Sequence, residues 1–325
     1  MAHAIRFHKT GGPEVLQWDD VTLPEPGAGE ARVTNKAIGL NYIDTYHRTG
    51  LYPVPLPSGI GLEAAGVVEA VGAGVTEFKP GDRVAYCNGP LGAYSEQKIH
   101  PVERLVKIPE GVSFEQAACA MLQGLTTQYL IRRLLRVPQA GETVVFHAAA
   151  GGVGLIFCQW AKALGVNVIG TVSSEEKAKL AREHGCTHTV IYTKEDFVAR
   201  VKELTGGKGV PMVYDGVGKD TFMKSLDCLQ PRGLLTLFGN ASGPVDALNT
   251  GLLAAKGSLY VTRPTLMSYV GKREELVAAA KELFDNVLGG RIKIGARQSY
   301  ALKDAAQAHR DLEARKTTGS TVLLP

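Results

Sequence analysis

The run His147-Ala-Ala-Ala-Gly-Gly-Val-Gly154 is where residue types and spacing first point to chemistry. It follows a short apolar stretch, Thr143-Val-Val-Phe146, and opens a segment, Val153 to Leu164, whose apolar residues recur at helical spacing. A buried strand, a tight glycine turn and a helix start are the parts that hold a dinucleotide pyrophosphate, because unpaired helix amides and the helix dipole face the anion. Gly151 lets the backbone approach the phosphates, and Gly154 lets the helix pack close to the strand. With Ala149, Gly152 and Val153 they form the candidate cofactor loop. The pattern departs from G-x-G-x-x-G at its first position, where Ala149 replaces glycine.

The next strand decides which dinucleotide is expected. A loop selective for NADH carries an acidic residue about 20 residues past the glycines, bonding the ribose 2′-hydroxyl. Here the strand ends Gly170-Thr-Val-Ser-Ser174 with no acid, and Lys177 follows one helical turn later. Ser173, Ser174 and Lys177 at a helix N-terminus suit a 2′-phosphate, so NADPH is the expected cofactor. Either serine also serves as a plain helix cap, and Glu176 completes a capping box if Ser173 is the cap. Glu175 and Glu176 oppose the phosphate reading. Tyr192, after the third strand, borders the adenosine phosphate or packs at a strand end. Lys316 joins these residues only if the C-terminal tail folds back over the cofactor.

The elements that carry these residues change character along the chain. Residues 1 to about 110 are short strand-like runs broken by Gly and Pro, which predicts a partly closed antiparallel β module. Ser113 with Gln116 forms a capping box that starts a helix to Leu122, and a second helical run, Leu125 to Leu135, follows. Strands then alternate with helices: Thr143–His147, Asn167–Thr171, Thr189–Ile191, Val210–Asp215, Gly233–Leu237 and Ser258–Val261. That alternation predicts an α/β chain with a doubly wound parallel sheet of Rossmann type. After Arg263-Pro264 come a helix Lys272 to Leu288, the segment Arg291–Ile294, a helix Lys303–Arg315 and a strand Thr321–Leu324. This tail is too small for a domain and is expected to pack on the β module.

Composition narrows the partners. With 325 residues the chain has room for two domains of ordinary size, and a net charge of +4 gives no support for nucleic-acid binding. Cys87, Cys119, Cys158, Cys186 and Cys228 are scattered without any C-x-x-C pair, which fits a reducing compartment. The N-terminal stretch lacks a signal-peptide core and no apolar run reaches the length of a membrane span, so a cytoplasmic protein is expected.

Taken together the chain resembles the zinc-independent, ζ-crystallin-like quinone oxidoreductases of the medium-chain dehydrogenase/reductase superfamily. The resemblance rests on Phe7-His-Lys-Thr-Gly-Gly-Pro-Glu-Val-Leu16, Asn41-Tyr-Ile-Asp-Thr-Tyr46, Gly61-Leu-Glu-Ala-Ala-Gly66 and Lys79-Pro-Gly-Asp-Arg-Val84. It extends through the glycine turn to Val213-Tyr-Asp-Gly-Val-Gly218, Phe238-Gly-Asn-Ala-Ser242 and Gly257-Ser-Leu-Tyr-Val-Thr-Arg-Pro264. It implies a β-rich, GroES-like catalytic domain (residues 1–124 and 265–325) interrupted by a Rossmann domain (125–264), with the active site in the cleft between them. It also implies a homodimer whose sheets meet through the strand Ser258–Val261. In the alcohol-dehydrogenase branch a cysteine and a Gly-His-Glu motif bind zinc. This chain has no cysteine near Gly39-Leu-Asn-Tyr42 and has Leu62 in the histidine position, so no metal is expected.

By resemblance, Asn41 and Tyr46 line the cleft beside the nicotinamide, with Tyr52 as a residue at its mouth; aromatic packing is the other account of both tyrosines. Thr126 matches the family threonine near the nicotinamide end or is a helix N-cap. Phe238, Gly239 and Asn240 follow the fifth strand at the edge where doubly wound sheets bind ligands, and Asn240 equally suits a turn. Arg263 contacts the nicotinamide side or holds the domain junction. A quinone is already a strong electrophile and needs only to be held flat against the ring, so reduction by NADPH, as a hydride or as single electrons, needs no metal. Reduction of an enal or enone double bond is the alternative on the same scaffold. A non-enzymatic NADPH- or RNA-binding protein is the alternative of another class.

Overall fold

The eleven-residue strand Glu30–Leu40 is the spine of the β-rich part of the chain. Its residues alternate between half-buried and buried over Glu30–Asn35, the pattern of a strand with one face on a core. In the computed structural model, which describes residues 2–325, it pairs antiparallel with Glu63–Val71, Gln97–Pro101 and Ser320–Leu324. The full sheet has seven strands, running from Ala296–Ala301 at one edge to Val106–Lys107 at the other. A three-stranded sheet of Gln17–Val21, Ala2–Phe7 and Ser58–Gly59 stands beside it. Ile5, Phe7, Val33, Ile38, Ile60, Tyr94 and Leu323 fill the core. The tail therefore does return to the β module: Val322 lies opposite Gly39 and Leu323 opposite Ile38.

The chain divides into two units. The first holds the chain up to Thr126 with Tyr269–Gly290 and Ile294–Pro325, and the second holds Thr127–Ser268 with Arg291–Lys293. In the second, six strands lie in the order His188–Ile191, Asn167–Val172, Thr143–Phe146, Val210–Asp215, Leu229–Leu237, Tyr260–Thr262, all parallel. Numbered along the chain that order is 3-2-1-4-5-6, the Rossmann arrangement expected from the alternating pattern. Val210–Asp215 is buried throughout, as a parallel strand covered by helices on both faces must be. No helix among the described residues is long and apolar enough to cross a membrane.

Some element boundaries differ from those expected. The two helical runs around Gly124 are one continuous helix, Phe114–Arg132. Glycine disfavours a helix interior, but here it serves packing. A Cβ at Gly124 would come within 2.6 Å of the Leu283 side chain on the helix Arg273–Leu288. The last parallel strand starts at Tyr260 instead of Ser258, because Gly257 (φ 107°) and Ser258 (φ 55°) turn the chain through the left-handed region. The capping box is present: the Ser113 hydroxyl accepts from Gln116 N at 3.1 Å, and Gln116 Oε1 accepts from Ser113 N at 2.9 Å.

Candidate functional site

The glycine turn connects the strand Thr143–Phe146 to the helix Gly152–Ala163, with Gly151 as its N-cap. Leu155 N reaches the Gly151 carbonyl at 2.9 Å. The amides of Gly152, Val153 and Gly154 precede that bond and have no intrahelical partner, which leaves them for an anion. A Cβ at Gly154 would lie 2.6 Å from the Ala148 carbonyl oxygen and 2.7 Å from the Ala149 carbonyl. Ala149, buried beneath the turn, donates to the Thr171 carbonyl at 3.1 Å. Ala148 itself holds φ 55°, a conformation that costs a residue with a Cβ about 1–2 kcal/mol.

A buried polar chain fixes the carboxyl ends of three strands beside this turn. Asp215 accepts from Val217 N, Gly218 N, Thr221 Oγ1 and Ser225 Oγ. Ser225 therefore spends its proton on Asp215 and accepts from His147 Nε2 at 2.9 Å, leaving Nδ1 to accept from the Thr171 hydroxyl at 2.9 Å. Burial holds His147 below its usual range, so the ring is neutral and its tautomer fixed. His147 is thus structural.

At the far end of the loop Ser174 caps the helix Glu175–Glu183, its hydroxyl accepting from Lys177 N at 3.3 Å. The cap is one residue later than a Ser173–Glu176 capping box requires, so that box does not form. Ser173, Ser174 and the half-buried Lys177 stay together at the helix start. The Glu175 carboxylate, an objection to a phosphate here, pairs with Lys194 at 3.1 Å. The Ser173 carbonyl accepts from Thr193 Oγ1, and Tyr192, 38% exposed, donates its amide to the Val172 carbonyl at 3.1 Å. Phe238-Gly239-Asn240 follows the fifth strand directly. Phe238 N donates to the Asp215 carbonyl at 2.8 Å, and a Cβ at Gly239 would overlap the Gly216 carbonyl. Arg263 donates to the Pro264 carbonyl at 3.0 Å. This donor set fits a phosphorylated dinucleotide: open helix amides for the pyrophosphate, and hydroxyls and a lysine without a competing strand-end acid for the 2′ position.

In the first unit, Asn41 caps the helix Tyr42–Thr49, which carries Tyr46. The Tyr46 ring packs 5.8 Å from Tyr42 and 5.2 Å edge-on to Tyr52, whose amide donates to the Tyr46 carbonyl at 3.0 Å. The three expected substrate residues are therefore neighbours. Thr126 is buried in the middle of the helix Phe114–Arg132, which rules out the N-cap account of it. Lys316 belongs to this unit and pairs with Asp311 at 3.4 Å.

Around Asn41 lies a buried network that the linear motifs do not show. Asn41 Nδ2 donates to Glu63 Oε2 at 2.6 Å, and Gln123 Nε2 donates to Asn41 Oδ1 at 3.1 Å. Asp44 Oδ2 accepts from Asn41 N at 2.9 Å and from Tyr94 OH at 2.8 Å. Arg48 NH1 donates to His309 Nδ1 at 2.9 Å, so His309 Nε2 carries the hydrogen that faces Tyr94 OH at 3.2 Å. Burial pushes Asp44 up to about 7 and Glu63 up to about 8, and burial with the Arg48 charge pushes His309 down to about 3. The spacing Asn41-x-x-Asp44 is itself a capping-box pattern and was the one local signal available for Asp44.

The raised Asp44 carboxyl has a consequence for stability. The folded chain holds a proton there that the unfolded chain releases near pH 4, so stability falls as pH rises from about 4 to about 7. Asp44→Asn should make that fall shallower in urea denaturation midpoints measured across the window. An unchanged slope would show that Asp44 is ionised throughout.

The alcohol dehydrogenase GroES-like domain family matches residues 27–110, and the zinc-binding dehydrogenase family matches 152–285. A quinone oxidoreductase of Pseudomonas aeruginosa is 62% identical over 326 residues, covering 100% of both chains. This chain belongs to the quinone oxidoreductase family. A solved Escherichia coli quinone oxidoreductase complexed with NADPH superimposes with a TM-score of 0.98 at 53% identity, over 100% of both chains. A 2-haloacrylate reductase of Burkholderia sp is 47% identical, over 100% of this chain and 99% of that one. Zinc, named by one of the family descriptions, requires several Cys or His side chains converging. Among the described residues no three His, Cys, Asp or Glu are so placed, and Leu62 precedes Glu63 where a histidine ligand would stand. The donor set does not fit that metal.

Proposed function

We propose that this family member is an NADPH-dependent quinone reductase. One observation carries the reading: the second parallel strand is followed by Ser173 and Ser174 with Lys177 behind them and no acid at the strand end, in a chain 62% identical to a quinone oxidoreductase. When bound, NADPH supplies the hydride. Gly152, Val153 and Gly154 hold the pyrophosphate with Gly151 giving it access, and Ser173, Ser174 and Lys177 hold the 2′-phosphate. Phe238, Gly239, Asn240, Thr126 and Arg263 orient the nicotinamide end, and Tyr192 and Lys316 are outer candidates. Asn41, Tyr46 and Tyr52 keep the planar acceptor against the ring, Asn41 by hydrogen bonding to a quinone oxygen. The hydroquinone anion takes its proton from solvent or a nearby hydroxyl.

Lys177→Ala tests the cofactor assignment. NADPH affinity should fall about tenfold, the ~1.4 kcal/mol of one charge-assisted contact, while NADH binding stays unchanged. Equal losses for both cofactors would refute a phosphate role for Lys177. The relationship to a 2-haloacrylate reductase supports a second reading, reduction of an activated carbon–carbon double bond. Steady-state rates on quinones, 2-alkenals and 2-haloacrylates separate the two. We also propose a homodimer through the strand Tyr260–Thr262, which ends the six-stranded sheet and exposes Tyr260, with nucleic acid playing no part. Sedimentation of Tyr260→Lys against the parent protein tests that contact.

A further inference from the structure

The contacts around Asn41 have a single direction. Ser320 Oγ donates to Gln123 Oε1 at 2.6 Å, Gln123 Nε2 donates to Asn41 Oδ1 at 3.1 Å, and Asn41 Nδ2 donates to Glu63 Oε2 at 2.6 Å. The other Glu63 oxygen, Oε1, accepts from the backbone amide of Leu122 at 2.6 Å. The Asn41 amide and the Leu122 and Met121 backbone amides thus converge on Glu63 and favour its carboxylate against the burial that raises it, and as the carboxylate it ends the chain as an acceptor. Every side chain in it is buried, and Glu63 is 0% exposed. The fold keeps space for this carboxyl: a Cβ on Gly39, which lies opposite Glu63 in the sheet, would overlap Glu63 Oε2 and the Ala118 carbonyl.

A carboxamide has two N–H bonds and two oxygen lone pairs. Glu63 takes one of the former from Asn41, while Gln123 and the Asp44 backbone amide fill the latter. The remaining N–H is then fixed in direction, and it is what Asn41 offers a ligand. We propose that Glu63 is a positioning residue for quinone reduction, with Gln123 and Ser320 as its counterpart at the other end: it sets which end of the Asn41 carboxamide meets the quinone. This rests on the reading of Asn41 as a substrate residue.

The substitution Glu63→Gln turns one acceptor into a donor. The Leu122 amide still requires an oxygen, so the new amino group must face Asn41. Asn41 then has to rotate its oxygen toward it, Gln123 has to rotate in turn, and Ser320 has to change from donor to acceptor. The whole chain reverses. Ser320→Ala removes only the first donor and leaves the original direction in place. In the double variant the reversed chain ends on the buried Gln123 amide, which has lost the Ser320 oxygen.

The test measures kcat/KM for 1,4-benzoquinone together with NADPH affinity from nicotinamide fluorescence. E63Q should lower kcat/KM about tenfold and S320A about threefold, the scale of one misdirected and one weakened hydrogen bond. The double variant should fall about a hundredfold, more than the product of the singles, because the sites are coupled. NADPH affinity should be unchanged in all three. If E63Q and S320A match the parent protein while Asn41→Ala is impaired, or if the two effects simply multiply, the positioning role is overturned and Asn41 keeps its place. If Asn41→Ala itself reduces quinone normally, its assignment to the substrate falls and the proposal falls with it. Should E63Q fail to fold, S320A decides: an unchanged kcat/KM overturns the proposal.

Discussion

Gly154→Ala is expected to cut NADPH affinity by roughly 10- to 100-fold, at ~1.4 kcal/mol per decade, while Gly151→Ala does far less. The contrast follows from what a single methyl group meets at each position. At Gly154 it would lie 2.6 Å from the Ala148 oxygen and 2.7 Å from the carbon and oxygen of the Ala149 carbonyl, all backbone atoms. None can rotate away as a side chain does, so the turn or the helix must shift. Overpacking of this kind costs about 1–3 kcal/mol. Here it falls on the segment that aims the Gly152, Val153 and Gly154 amides. At Gly151 the nearest atom, the Ala148 oxygen, is 3.2 Å away, and a few tenths of an ångström accommodate it. Fluorescence titration of both variants, with thermal melts as the folding control, checks the order. Gly154→Ala binding NADPH as tightly as the parent protein would remove the glycine turn from the cofactor site.

The parts of this architecture written in adjacent residues were legible before any coordinates. Strand–helix alternation, the glycine turn and the Ser113–Gln116 capping box each lie within one short segment. From the alternation, the right-handedness of parallel crossovers selects the sheet. The boundaries missed were set by neighbours distant in the chain. Gly124 read as a helix break, yet it is the point where Leu283 approaches; Ser258 read as strand, yet its φ of 55° belongs to the preceding turn. The same reason hid the surroundings of Asn41. Its partners Glu63 and Gln123 stand 22 and 82 positions away, and Ser320 is 197 positions from Gln123. No periodicity or motif spans such separations. What the sequence did show was the departure at Leu62, which left Glu63 without metal ligands beside it and open to the hydrogen-bonding role described above.

Arg48→Ala should cause the largest loss of stability, about 3–5 kcal/mol, the usual cost of removing one partner from a buried ionic network. Arg48 is 1% exposed on the helix Tyr42–Thr49, and its guanidinium reaches three residues. It pairs in fork geometry with Glu313 (NH2 to Oε1 at 2.7 Å, NH1 to Oε2 at 3.1 Å), donates to His309 Nδ1 at 2.9 Å and donates to the Gly11 carbonyl at 3.1 Å. Removing it strands more than a carboxylate. His309 is buried and neutral, and it accepts at Nδ1 only because Arg48 donates there; Tyr94 and Asp44 take their hydrogen-bond directions from that choice. Arg48→Lys keeps the charge but loses the fork, so it should fall between the two proteins. At about 2–4 °C per kcal/mol for a unit of this size, the alanine variant should melt roughly 6–20 °C lower. Glu313 is a third exposed, so Glu313→Gln should cost much less, because water replaces part of what it gives up. A melting temperature for Arg48→Ala within a degree or two of the parent protein would mean that the guanidinium is held by its surroundings instead of holding them.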